Sequence, residues 1–278
     1  MSRDVTSRDV ATRDGRILRV HDSGPRDSGR TLLWHHGSPQ TGALLAPVLE
    51  AAEARRVRLV SYGRPAYGGS SALPGRDVAS AAEDVRAVLD ALGVRSTLTM
   101  GASGGGPHAL ACAALLPDRV EAVAVLASPA PFDGEPGWFD GMAAPGGLRA
   151  ALAGRDARAA FALVDEFDPE SFLPIDYAAF DGDWSALGED VARSAEWGDD
   201  GLIDDDVALA SDWGVDLALI RVPVVLVQGG LDRVVPAHHA ERLRARLPLA
   251  EHVLRPDDGH ISVLRDVPAA LDRLIALS

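Results

Sequence analysis

Ser96-Thr97-Leu98-Thr99-Met100-Gly101-Ala102-Ser103-Gly104-Gly105-Gly106-Pro107-His108 is the stretch around which the 278-residue chain can be organised. Residues 96–100 read as a short strand, and Pro107 suits the first turn of a helix, where its missing N–H leaves nothing unpaired. A sharp strand-to-helix turn crowds the backbone, so small residues are needed at Gly101 and Gly105. Such a turn lifts the Ser103 hydroxyl clear of a sheet. It also sets that hydroxyl at a helix N-terminus, where N–H groups and the helix dipole favour developing negative charge. The competing reading is a phosphate-binding glycine turn. The spacing is not G-x-G-x-x-G, however, and all 27 basic residues are Arg, which leaves no lysine for a P-loop or for Schiff-base chemistry.

Working outward from this turn, short apolar runs alternate with helical patterns. Residues 16–21, 31–35, 58–62, 120–126 and 222–228 read as strands. The last two are almost wholly apolar, as strands covered on both faces must be. Residues 79–92 place Ala82, Val85, Val88, Leu89 and Leu92 on one helical face, with Gly93 as a stop; residues 109–116 and 240–247 read likewise. This alternation predicts an α/β fold with a mostly parallel sheet. It lapses over residues 131–215, which hold all six Phe and four of the five Trp (138, 184, 197, 213). They also hold 20 Asp or Glu against 4 Arg, with a helical pattern at 147–164 and no convincing strand. The segment reads as an acidic helical cap inserted into a core of residues 1–130 and 216–278. A Ser-Arg-Asp-Val doublet at 2–5 and 7–10 is too short to signal a repeat architecture.

A serine hydroxyl is a poor nucleophile without a base to take its proton. Of eight histidines, His260 sits best, in a loop after the strand-like residues 252–254. From such a strand end a base can reach another strand end. His238 and His239 in a first helical turn, and His252 in a strand, read as surface or packing residues, and His108 points along the helix behind Ser103. Asp232 follows the very apolar run 224–227, where a charge needs a partner. That partner is His260, held in one tautomer, or in the competing reading the adjacent Arg233. Asp133 is a reserve acid. The N–H of Ser38, in His35-His36-Gly37-Ser38-Pro39, and the N–H of Gly104 are candidate oxyanion donors. Neighbouring histidines at 35 and 36 face opposite ways on a strand, and no H-E-x-x-H or Cys/His cluster occurs. Neither a metal nor another cofactor is expected.

In chain order these pieces resemble the α/β-hydrolase family. The matching residues are His36-Gly37-Ser38-Pro39, the G-x-S-x-G at Gly101 to Gly105, Asp232 after a late strand, and Asp258-Gly259-His260. Tyr62-Gly63-Arg64-Pro65-Ala66-Tyr67-Gly68-Gly69-Ser70 looks like the family's loop after its fourth strand. The resemblance covers about residues 11–130 and 216–278. It implies an eight-stranded, mostly parallel sheet flanked by helices, with a helical cap after strand six. It further implies a serine hydrolase acting on an ester-like carbonyl, with Ser103 as nucleophile, His260 as base, Asp232 orienting the base, and Ser38 and Gly104 forming the oxyanion hole. Branches with an Asp nucleophile, the haloalkane dehalogenases and epoxide hydrolases, are disfavoured by serine at 103.

Composition bounds the partners. A formal charge of −14 argues against nucleic acid. No apolar run is long enough to span a bilayer and the N-terminal residues lack a secretory pattern, so a cytoplasmic protein is expected. A small-molecule substrate is the expected partner, with a homo-oligomer left open. Cys112, the single cysteine, excludes an intrachain disulfide and reads as a small apolar helix residue. Two questions about the cap stay open at this level. Its aromatic residues either line a pocket or fill the cap's own core. Its acidity either attracts a cationic group, as an aminopeptidase would need, or forms a solvated face; an aminopeptidase or amidase on the same residues is the alternative enzymatic reading. A low-turnover ligand-binding receptor of the same fold is the non-enzymatic alternative.

Overall fold

Eight strands make one sheet in the order β1-β2-β4-β3-β5-β6-β7-β8 in a computed structural model that describes residues 5–24 and 29–278. They are β1 (Thr6–Ala11), β2 (Ile17–Asp22), β3 (Thr31–His35), β4 (Arg58–Tyr62), β5 (Thr97–Ala102), β6 (Val120–Leu126), β7 (Val224–Gly229) and β8 (Ala250–Arg255). β1 pairs antiparallel with β2 and β2 antiparallel with β4; every other pairing is parallel. The α/β class and the mostly parallel eight-stranded sheet are therefore as expected.

The three expected strands whose limits coincide with the structure, β3, β4 and β6, lie in the sheet interior. β3 and β4 are buried at every residue, and β6 at all but Glu121. Alternate residues serve opposite faces. Leu33 and Val60 join the core beneath α2 (Ala81–Ala91) and α3 (Gly105–Leu115), whereas Leu32, Trp34 and Leu59 join the core beneath α1 (Ala46–Ala54) and α10 (Val267–Leu277). β1 was not legible as a strand. Val10 is its one buried residue, and its pairing is made by backbone groups that any sequence carries. The second copy of the Ser-Arg-Asp-Val doublet lies within it, and most of the first lies outside the described residues.

Between β6 and β7 the chain forms five α-helices, short 3₁₀ turns and no strand: α4 (Gly146–Ala151), α5 (Arg155–Ala162), α6 (Pro174–Asp181), α7 (Ser185–Ser194) and α8 (Asp200–Ala210). The helical pattern at 147–164 is two helices rather than one. Gly154 separates them with φ +96°, a left-handed conformation that ends a helix. α9 (His238–Arg244) follows β7 and starts earlier than its apolar pattern. Among the described residues no helix is long and apolar enough to cross a membrane. Because β3 to β8 share one direction, the loops after β3, β5, β7 and β8 emerge at the same edge, carrying Ser38, Ser103, Asp232 and His260.

Candidate active site

Ser103 stands in the turn between β5 and α3 with φ +51°, a conformation that L side chains rarely adopt and that costs about 1–3 kcal/mol. Two backbone bonds hold it there: its N–H donates to Leu126 O at 2.9 Å, and its carbonyl accepts from Gly106 N–H at 3.0 Å. The glycines make the turn feasible. A Cβ on Gly105 would strike the carbonyl oxygens of His35 and His36, and one on Gly101 would lie 2.5 Å from Gly105 O. α3 begins at Gly105, before the apolar pattern at 109, because glycines show no periodicity.

His260 Nε2 lies 3.0 Å from Ser103 Oγ, and His260 Nδ1 lies 2.8 Å from Asp232 Oδ2. The imidazole and the carboxylate are buried, while Ser103 is half-buried and reachable. Asp232 is fully engaged. Its Oδ1 accepts the N–H groups of Val234 and Val235, both at 2.8 Å, and its Oδ2 also accepts Gln228 Nε2 at 3.3 Å. This assigns the His260 proton to Nδ1 and leaves Nε2 facing the hydroxyl. Burial pulls the His260 pKa down, but the charge and hydrogen bond of Asp232, with the Asp176 carboxylate adding, outweigh it and leave it raised above 6.5. The loops of Asp232 and His260 touch where a Cβ on Gly229 would meet Asp258 O at 2.6 Å, so glycine is required for that approach.

The N–H groups of Ser38 and Gly104 take no protein acceptor among the described residues, and a Cβ on Gly104 would lie 3.7 Å from Ser38 N. The loop bearing Ser38 is held from behind by Arg64. Its guanidinium donates to His36 O, to Gly37 O at 3.3 Å and to Ser38 Oγ at 2.8 Å. Asp205 of α8 holds that guanidinium at 2.6 Å and also accepts Ser38 Oγ at 2.5 Å, Tyr67 Oη at 3.0 Å and Arg76 Nη2 at 2.6 Å. Burial alone would raise the Asp205 pKa, but Arg64 and Arg76 hold it well below the usual carboxylate range. Two further buried carboxylates from the same segment reach core loops. Asp176 Oδ1 accepts the N–H groups of Ile261 and Ser262, and Asp190 accepts Thr41 N–H at 3.0 Å and Thr41 Oγ1 at 2.5 Å. None of Arg64, Asp176, Asp190 and Asp205 was singled out from sequence. Arg64 lies within the Tyr62 to Ser70 stretch, but nothing local distinguishes the three aspartates from the other acids of residues 131–215.

A cavity of about 550 Å³ opens on Ser103 and His260. Phe167, Phe172, Tyr177, Phe180, Leu187 and Val191 wall it from the 131–215 segment, and among the described residues no Asp, Glu or Arg lines it. The aromatic residues of 131–215 thus divide. These four rings face the cavity, whereas Phe132, Trp138 and Phe139 pack on one another and Trp184 and Trp213 are buried in the core.

The remaining candidates lie elsewhere. Asp133 pairs with Arg242, and Arg233 with Glu170 rather than Asp232. His108 is buried behind Ser103, its Nδ1 bonded to Gly104 O at 2.8 Å; burial, with the Arg64 charge adding, pushes its pKa down to about 3. His239 accepts Ala130 N–H under the Trp138 ring, and His252 faces Glu241. Cys112 is buried. No group of three or more His, Cys, Asp or Glu side chains among the described residues is arranged to hold a metal.

A strand-to-helix turn carrying a serine, facing a histidine and an aspartate from later strand ends of a parallel sheet, defines a class of hydrolases. The chain belongs to the alpha/beta hydrolase fold family, whose model matches residues 30–267. It is 32% identical over 123 residues to a bifunctional esterase/perhydrolase of Acinetobacter calcoaceticus, a match spanning 44% of each protein, so under half the length of that relative is covered. It is 28% identical over 256 residues to a putative carbamate hydrolase, RutD, of Caulobacter sp. (strain K31), spanning 90% of each. Among solved structures, the enol-lactonase from Burkholderia xenovorans LB400 superposes with a TM-score of 0.72 at 21% identity, over 97% of this chain and 99% of that one, which shows the shared fold.

Proposed function

We propose that this chain is a serine hydrolase of uncharged, apolar carboxylic esters or lactones. The observation that carries the reading is the hydrogen-bonded series Ser103–His260–Asp232 at the mouth of an apolar cavity. Ser103 Oγ attacks the ester carbonyl while His260 Nε2 accepts its proton, and Asp232 stabilises the imidazolium that results. The oxyanion is received by the N–H groups of Ser38 and Gly104. His260 then protonates the leaving oxygen, and a water deprotonated by the same imidazole releases the acyl group from Ser103.

The cavity lining supports neutral substrates. An aminopeptidase would need a carboxylate near the site to pair with an ammonium group, and among the described residues no acidic side chain lines this cavity. Its walls instead match an alkyl or aryl acyl chain. Purified protein should hydrolyse p-nitrophenyl esters, and Ser103→Ala should lose that activity by about 10³-fold or more. Ester hydrolysis by Ser103→Ala at the parent rate would overturn the assignment. Labelling of Ser103 by a fluorophosphonate without turnover of any ester would favour the receptor reading instead.

A further inference from the structure

We propose that Asp205, on α8, is a positioning residue that aims the Ser38 N–H at the oxyanion by way of Arg64; this rests on the serine-hydrolase reading above. The Gly37 carbonyl and the Ser38 N–H belong to one planar trans peptide, so they point in opposite directions. Fixing the carbonyl therefore fixes the donor. Two groups fix it: His36 Nδ1–H donates to Gly37 O at 2.6 Å and Arg64 Nη2 at 3.3 Å. His36 is set for this task, because its Nε2 accepts the Arg64 backbone N–H at 3.1 Å and burial, with the Arg64 charge adding, keeps the ring neutral. A cation on the carbonyl side also polarises the peptide and strengthens the N–H as a donor.

Arg64 is 1% exposed, and burying its charge there without a counter-charge would be costly. Asp205 supplies the compensating charge and, through Ser38 Oγ, a second hold on the same loop. The carboxylate is in turn immobilised by Arg76 and Tyr67. One helix of the 131–215 segment thus sets the direction of an N–H that acts only when negative charge develops. Asp206, the next residue, offers a control. Its partner, Arg158 at 2.6 Å, lies in the same segment, so it removes a charge from α8 without touching the Ser38 loop.

The experiment compares Asp205→Asn, Ser38→Ala, their double variant and Asp206→Asn with the parent, using a neutral apolar ester and an alkyl boronic acid that forms a tetrahedral adduct on Ser103. Asp205→Asn is expected to lower kcat by about ten- to a hundredfold with KM changed by less than about threefold, because a misaimed donor is felt in the transition state. Boronic acid affinity should fall with kcat/KM. Ser38→Ala, which keeps the N–H, should lose kcat in the same direction by a smaller factor, and the double variant should be no worse than Asp205→Asn. Asp206→Asn should keep kcat within about twofold. Parent-like kcat in folded Asp205→Asn, an equal loss in Asp206→Asn, or losses that multiply in the double variant would each overturn the proposal. If Asp205→Asn does not fold, Arg64→Lys, which keeps the charge but loses the guanidinium's fork on His36 O, Gly37 O and Ser38 Oγ, decides, and parent-like kcat there overturns it. Activity retained by Ser103→Ala would instead remove the serine-hydrolase reading on which the inference stands.

Discussion

Asp176 Oδ1 accepts the backbone N–H of Ile261 at 2.9 Å, so α6 grips the loop that carries His260 one residue after the imidazole. The same oxygen accepts Ser262 N–H at 2.8 Å, and Oδ2 accepts Leu173 N–H at 3.0 Å. Asp176→Ala would leave three N–H groups without their acceptor. It should destabilise the protein by about 3 kcal/mol, read from urea unfolding, and reduce kcat/KM. Asp176→Asn keeps a carbonyl acceptor and should recover most of the loss. Unchanged unfolding midpoints in Asp176→Ala would refute this account.

The pH dependence of kcat/KM should show an acid limb from His260. The base works only when neutral, so activity rises with pH through its raised pKa. Asp232→Asn removes the negative charge that raises it, and the limb should move to lower pH. The amide would also donate to Nδ1, forcing the proton onto Nε2 and blocking acceptance from Ser103; a loss of about 10⁴-fold in kcat is expected. A limb that stays in place in the variant would mean that another group titrates.

Acid should weaken the fold through buried neutral histidines, among them His35, His36 and His108. Burial leads the depression at His35, His36 and His108, and neighbouring His108 or Arg64 adds to it. Their unfolded pKa is 6.5, so as pH falls below that value the unfolded chain binds protons first. Their contribution is complete above pH 6.5 and is lost as pH falls toward the folded values, which for His108 is about 3. Each unit of separation corresponds to about 1.4 kcal/mol. Urea unfolding at pH 7.5 and 5 should show the decline. His35→Leu, which removes a buried ring with no hydrogen bond at either nitrogen, should flatten it. An unchanged slope would count against His35.

Acyl length should matter until the cavity of about 550 Å³ is filled. Burying a methylene contributes about 0.8 kcal/mol, so kcat/KM should rise by up to about fourfold per added carbon. Val191→Trp narrows the wall and should shift the optimum to shorter chains, measured across a p-nitrophenyl ester series. A flat profile in the parent would place the acyl group outside the cavity.

The interior of the sheet was legible in residues because burial on both faces demands apolar side chains at successive positions, as in 120–126. β1 was not, since edge pairing uses the backbone and left Val10 as its one buried side chain. Ser103 was legible through its glycines, whose necessity is steric and local. Asp232 and His260 were legible as strand-end residues, but their 2.8 Å contact depends on two parallel strands lying side by side.

By itself the sequence determined the alternation of strand and helix, the tight turn at Ser103, and the acidic, aromatic character of residues 131–215. Only the tertiary structure decided which acids matter. Asp205 meets Arg64 across 141 positions and Asp176 meets Ile261 across 85. The physical reason is that local patterns encode which face of a helix or strand is apolar. The partner of a buried charge is chosen by how whole helices dock.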